Sequence, residues 1–181
     1  MKKDKDIKKW LKDVWPNERD IFDRPDRIKY LRRIKTPDVC VFCESLDRKT
    51  EQSELLLYSG THAMVVLNKY PYNTGHCLVL PKRHVGDLSD LKKEEVVEIA
   101  LIKVKVVEIL KDVYEPQGYN LGMNHGKVAG AGIPEHLHWH IIPRWGGDTN
   151  FFPLIAETKV VPETLADSVK KLKPKFKKIK I

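Results

Sequence analysis

The amino-acid sequence predicts an α+β fold, because two groups of short β-prone runs are separated by one long amphipathic helix. The first group lies between residues 54 and 80, the helix between 91 and 114, and the second group between 119 and 142. Within the last stretch, His136-Leu-His-Trp-His140 places a histidine at every second position. A strand sends alternate side chains to one face, so His136, His138 and His140 are expected to share a surface opposite Leu137, Trp139 and Ile141. In a helix they would fan out by about 100° per residue.

Each element has its own signal. Residues 1–37 are charged, contain Pro16, Pro25 and Pro37, and scatter Trp10, Trp15, Ile21, Phe22 and Tyr30 between them. They read as an extension that packs on the body through its aromatics. Residues 55–58, 63–67 and 76–80 are β-prone runs broken by Ser59-Gly60 and Asn73-Thr74-Gly75, the pattern of an antiparallel meander. Ile102, Val106, Ile109, Leu110 and Val113 recur at helical spacing, with lysines and glutamates on the other side. Strands follow at 119–123 and 136–142, the latter stopped by Pro143. A last helix is expected to begin after Pro162 and stop near Pro174. The body is therefore 38–160, followed by a helix and lysine-rich tail at 161–181.

Composition narrows the function. The chain has 181 residues with 41% hydrophobic content, enough for one domain with a sizeable core. Its apolar runs are too short for a membrane-spanning helix, and the lysine-bearing amino terminus lacks the apolar segment of a secretory signal. Three cysteines, two of them in Cys40-Val-Phe-Cys43, argue against a disulfide framework and for a reducing cytoplasm. Seven lysines and no acid in residues 170–181 leave about +1 of the net charge of +8 for the rest. Nucleic-acid binding, if any, is confined to that tail.

The residues alone leave two chemistries open at the histidine run: a metal site, or a histidine nucleophile tuned by its neighbours. Cys40, Cys43, His84 and His136 form a tetrahedral zinc donor set, although their spacing fits no compact zinc finger. Spacing leaves that site undecided. Gly126, Gly130 and Gly132 lie in the loop before the histidines, where glycines can turn N–H groups toward an anion or simply form turns. Cys77 reads as a small core residue.

The string HLHWHII resembles the signature of the histidine triad family of nucleotide hydrolases and transferases. Asn68-Lys-Tyr-Pro-Tyr-Asn-Thr-Gly-His76, continuing to Pro81-Lys-Arg-His84, resembles that family's nucleoside-binding hairpin. The resemblance covers roughly residues 40–145. Pro143-Arg-Trp-Gly-Gly-Asp148, together with the Cys-x-x-Cys, looks most like the bacterial branch associated with diadenosine tetraphosphate phosphorylase activity.

The resemblance implies an antiparallel five-stranded sheet with one long helix and a C-terminal helix, and a homodimer with a continuous sheet. It implies that His138 attacks an α-phosphate and forms a nucleotidyl-histidine, with His140 and His76 in the same network. Asn68 would bind ribose. Where the commoner pattern has Gly-Gln-Ser/Thr-Val, this chain has Gly130-Ala131-Gly132-Ile133-Pro134, so phosphate contacts are expected from that backbone, Asn124, Lys127 or Arg144. A structural zinc on Cys40, Cys43, His84 and His136 is also implied, without activation of water. The expected reaction is cleavage of a dinucleoside polyphosphate, completed by phosphate. The alternatives are hydrolysis of nucleoside phosphoramidates or adenylates, removal of nucleotidyl groups from nucleic-acid ends, and a nucleotide-binding module without catalysis.

Overall fold

The computed structural model describes residues 40–46, 50–148 and 162–179. All belong to the second of the two units into which the chain divides, Thr36–Ile181. The expected extension at 1–37 lies outside the described residues. Five strands, β1 (Leu56–Ser59), β2 (Ala63–Leu67), β3 (Cys77–Pro81), β4 (Gly118–Gly122) and β5 (Trp139–Arg144), form one sheet in the order β1-β2-β3-β5-β4. Every neighbouring pair is antiparallel. The helices are α1 (Val41–Glu44), α2 (Glu51–Glu54), α3 (Lys93–Tyr114) and α4 (Leu165–Phe176), with a 3₁₀ turn at Leu88–Asp90.

The expected α+β architecture is the one observed. The apolar run of β2 is buried at every position, as is that of β3, so these strands form the centre of the core. Helix α3 buries Ile99, Ile102, Val106 and Leu110 and packs on β2, β3 and β5. Its amino end is closed by Glu95, whose Oε2 accepts the Lys92 N–H at 2.8 Å. Its carboxyl end turns at Glu115, in the left-handed region at φ 45°, ahead of Pro116. The β1–β2 turn is tied to α3, because the Glu98 carboxylate accepts the N–H groups of Thr61 and Ala63 at 2.9 and 3.2 Å, and that of His62 between them. A Cβ at Gly60 would collide with that carboxylate.

Two prolines behave differently from the sequence expectation. Strand β5 runs through Pro143 to Arg144. Pro143 faces away from β4: its carbonyl accepts from Asn73 Nδ2 at 2.9 Å, at a level below the first residue of β3, so its missing N–H interrupts no ladder. Helix α4 likewise continues past Pro174 to Phe176. Phe176 and Leu172 are fully buried, and that burial outweighs one lost bond in the last turn. Among the lysines of this region Lys171 and Lys175 are exposed but not unpaired, since Lys171 pairs with Glu163 and Lys175 with Asp112.

Candidate active site and metal centre

The histidine run is not one regular strand face. Strand β5 begins at Trp139, so His136 and His138 precede it, and the Leu137 N–H bonds the Val85 carbonyl at 2.8 Å instead of joining the ladder. That separate pairing turns the His136 ring toward the loop carrying His84, while the rings of His138 and His140 stay 5.2 Å apart. His76 immediately precedes β3, whose Leu78 pairs with His140, so the sheet register brings His76 and His140 together.

Hydrogen-bond chemistry assigns the proton on each ring. A backbone N–H can only donate, so His76 Nδ1, 3.1 Å from the Tyr72 N, is an acceptor. Its Nε2 then carries the proton and donates to His140 Nδ1 at 2.9 Å. A carbonyl can only accept, so His138 donates Nδ1–H to the His136 oxygen at 2.8 Å and keeps a bare Nε2 lone pair. Burial lowers the pKa of His76 to about 3 and of His140 to about 4, each with a smaller contribution from a neighbouring histidine. His138 is lowered too, again by burial, against the raising effect of its bond to the His136 carbonyl. The rings are therefore neutral at pH 7.

Cys40, Cys43, His84 and His136 converge as the sequence suggested, with ligand atoms all within 4.8 Å of one another. Nδ1 of His136 lies 3.4 Å from Cys40 Sγ and 3.7 Å from Cys43 Sγ, and Nδ1 of His84 lies 3.5 Å from Cys43 Sγ. Ligands at about 2.3 Å (S) and 2.0–2.1 Å (N) from a tetrahedral zinc would stand about 3.6 Å apart, so the donor spacing fits such an ion. Nε2–H of His136 donates to the Pro81 carbonyl at 2.9 Å, which leaves Nδ1 as the ligand atom. Without a cation the Cys43 thiol is pushed up to about 11 by burial and by Cys40, so a thiolate here requires a positive partner. Cys77 is in the core of β3, and burial raises its thiol to about 12.

The remaining expected residues divide into two groups. Asn124, Lys127, Gly130, Ala131, Gly132 and Ile133 lie on the loop before the histidines. Gly126 and Gly130 take φ values of 82° and 92° there, and Asn124 Nδ2 donates to the Gly130 carbonyl at 3.3 Å. The N–H groups of Gly130 and Ala131 bond the carbonyls of Lys127 and Gly126 within the loop. Among the described residues, those of Gly132 and Ile133 have no such partner and remain available to an anion. Lys127 is exposed.

Arg144 is not brought to the histidines. It sits six residues beyond His138, about 20 Å along an extended chain. Its guanidinium is held by both Asp148 oxygens at 2.5 and 2.7 Å and by Asn120 Oδ1 at 2.7 Å. That bond, with Asn73 Nδ2 and the Trp145 N–H also on the carboxylate, keeps the Asp148 carboxyl far below the usual range. Asn68 accepts the Tyr70 N–H at 3.0 Å in a local turn and turns its amide toward His76 Nδ1 at 3.2 Å.

Three contributors were missed from the sequence. Phe42, inside the Cys-x-x-Cys, packs its ring 5.4 Å from His136 and 5.0 Å from His138, joining the candidate metal donors to the remaining histidines. Tyr72 stacks on His76 at 5.1 Å and on His140 at 6.1 Å. Arg83, beside His84, is clamped to Glu95 by bonds of 2.9 and 2.8 Å, which fixes the His84 loop on the start of α3. An aromatic between paired cysteines was the one readable signal.

Residues 49–147 match the HIT domain. The chain belongs to the HIT domain family. As a member of the histidine triad family it is 42% identical over 119 residues to a protein of Mycobacterium tuberculosis (strain CDC 1551 / Oshkosh) named AP-4-A phosphorylase, a match covering 66% of this chain and 61% of that relative. The chain thus spans less than two thirds of that protein's length. It is 34% identical over 110 residues to an uncharacterized HIT-like protein of Methanocaldococcus jannaschii, covering 61% of this chain and 82% of the other. Among solved structures, a hypothetical histidine triad nucleotide-binding protein from Sulfolobus tokodaii superposes with TM-score 0.62 at 29% identity, over 76% of this chain and 92% of that one. A zinc-bound histidine triad protein from Mycobacterium smegmatis also superposes with TM-score 0.62, at 27% identity, over 76% and 93%. No helix among the described residues is long and apolar enough to cross a membrane.

Proposed function

We propose that this protein is a nucleotidyl transferase that cleaves dinucleoside polyphosphates of the diadenosine tetraphosphate kind at an α-phosphate, with phosphate as second acceptor. The observation that carries the reading is the bond from His138 Nδ1 to the His136 carbonyl, which leaves Nε2 as a lone pair on a neutral ring. Nε2 bonds to the α-phosphorus as the bond to the departing nucleotide's oxygen breaks and that oxygen keeps the electron pair. An oxygen of phosphate then bonds to the same phosphorus, and the nitrogen–phosphorus bond breaks. Diadenosine tetraphosphate and phosphate yield ATP and ADP. The N–H groups of Gly132 and Ile133 are suited to the charge that develops on the α-phosphate oxygens. The name of the Mycobacterium tuberculosis relative supports both the donor and the acceptor.

Cys40, Cys43, His84 and His136 would hold zinc. Four protein ligands leave no open position, so the metal's contribution is structural, and the residues it fixes include His136, whose carbonyl orients His138. A dimer through β4 is part of the same reading. Among the described residues nothing pairs with the outer edge of β4, where Leu121 is 53% exposed, and Val97, Leu101 and Val104 form an exposed stripe on α3. Sedimentation of wild type and of Leu121→Lys tests it, a monomer in both being the contrary result.

The direct test is a nucleotide substrate screen with products resolved, run with and without added phosphate. ATP plus ADP formed only with phosphate supports phosphorolysis. AMP plus ATP, or two ADP, at a rate indifferent to phosphate assigns water as the acceptor. Turnover only of phosphoramidates or adenylates assigns those substrates instead.

A further inference from the structure

We propose that Tyr72 is a positioning residue for the transfer step: it holds His76, and through His76 the ring of His140, in the arrangement that presents a hydrogen-bond donor beside His138. This rests on the nucleotidyl-histidine reading above. Tyr72 lies on the connection between β2 and β3 and is 40% exposed, so its ring does not serve the apolar core. It lies instead along two imidazoles. Its centroid is 5.1 Å from that of His76 and 6.1 Å from that of His140, and the planes are inclined to it by only 30° and 23°.

The main chain of Tyr72 fixes the protons. Its N–H points at His76 Nδ1 from 3.1 Å, so that nitrogen accepts. Asn68 supports the same assignment: its Oδ1 accepts the Tyr70 N–H, which leaves the amide nitrogen as the atom 3.2 Å from Nδ1. His76 then donates from Nε2 to His140 Nδ1 at 2.9 Å. A neutral ring whose Nδ1 accepts carries its proton on Nε2. One backbone N–H thus decides, two rings away, which nitrogen of His140 donates. The turn that carries this N–H is closed, because the Asn68 N–H bonds the His76 carbonyl at 2.9 Å and the His76 N–H bonds the Asn73 carbonyl at 3.2 Å.

The side chain of Tyr72 fixes the planes. The last torsion of a histidine is broad and roughly two-fold, so hydrogen bonds at the ring nitrogens leave the plane loosely set. A third ring stacked along both imidazoles resists rotation of either about its Cβ–Cγ bond. His76 beneath it is fully buried. The His140 ring is 5.2 Å from that of His138, so its Nε2–H is a donor on the ring beside the nucleophile. It suits a non-bridging oxygen of the α-phosphate while phosphorus is attacked, and the proton stays on nitrogen throughout.

The test joins NMR of the histidine ring nitrogens at pH 7 with kinetics of nucleotidyl-enzyme formation, on Tyr72→Phe and Tyr72→Ala. Wild type is predicted to show a single Nε2–H form of both His76 and His140. Tyr72→Phe keeps the stacked ring and is predicted to retain both signals and about half of the rate or more. Tyr72→Ala is predicted to show His140 exchanging between its two neutral forms, and to lose about tenfold in rate with KM for diadenosine tetraphosphate changed by less than about twofold. A fall in rate with both ring signals intact, a change in KM alone, or an equal loss in Tyr72→Phe overturns the proposal. A wild type that forms no nucleotidyl-enzyme removes the His138 reading instead. The ring signals then decide the role of Tyr72 by themselves, and an unchanged His140 in Tyr72→Ala overturns it.

Discussion

His138 donates its Nδ1–H to the backbone carbonyl of His136 at 2.8 Å, so the tautomer of the proposed nucleophile depends on the main chain of a candidate metal ligand. One three-residue segment carries both one of the four candidate metal donors and the nitrogen proposed to react.

Removal of the metal should therefore act on stability and on chemistry together. Chelation, or Cys43→Ser, is predicted to lower the melting temperature by about 10 °C or more, because ligand-to-metal binding energy is folding energy. Nucleotidyl transfer should fall in parallel and return with added zinc. Purified protein that carries no stoichiometric zinc, and whose melting and turnover a chelator leaves unmoved, would contradict the assignment.

Much of this was legible in advance. The continuous apolar run located β2 to the residue and the helical spacing of apolar residues located α3 to within two, because both patterns are local properties of sequence. The four candidate metal donors were legible as residue types. The break in the histidine run was not, because it depends on Leu137 pairing with Val85, a contact between segments distant in sequence. Arg144 was offered as one source of phosphate contacts because the glutamine and hydroxyl of the commoner pattern are missing from the loop. Asp148, four residues on, is a partner that only the turn geometry reveals. Pro143 and Pro174 were read as stops, since a proline's harm depends on which way its nitrogen faces and on what is buried beyond it.

Acidification should destabilise the fold through the buried histidines. His76 and His140 titrate at about 3 and about 4 in the folded chain, against about 6.5 when unfolded. Between those values the unfolded chain binds more protons, so stability is full above pH 6.5 and falls as pH drops toward 4. From pH 7 to 5.5 the pair is predicted to lose about 2 kcal/mol, measured by urea unfolding at each pH. His76→Gln should roughly halve the drop. A stability unchanged between those pH values would show that the two rings are not held neutral.

Glu115 closes α3 with φ 45° and ψ 49°, a conformation that costs a side-chain-bearing residue and suits glycine. Glu115→Gly is predicted to raise unfolding free energy by about 1 kcal/mol with turnover unchanged. Destabilisation would mean that its side chain contributes more than its backbone costs.

The central claim is covalent transfer through His138. Wild-type protein incubated briefly with labelled diadenosine tetraphosphate without phosphate, quenched in alkali and digested, is predicted to yield one nucleotidylated peptide labelled on His138. His138→Gly should yield none and lose about 10⁴-fold or more in turnover, while keeping its melting temperature and its metal. A label on another residue, or undiminished turnover in that variant, would contradict the account.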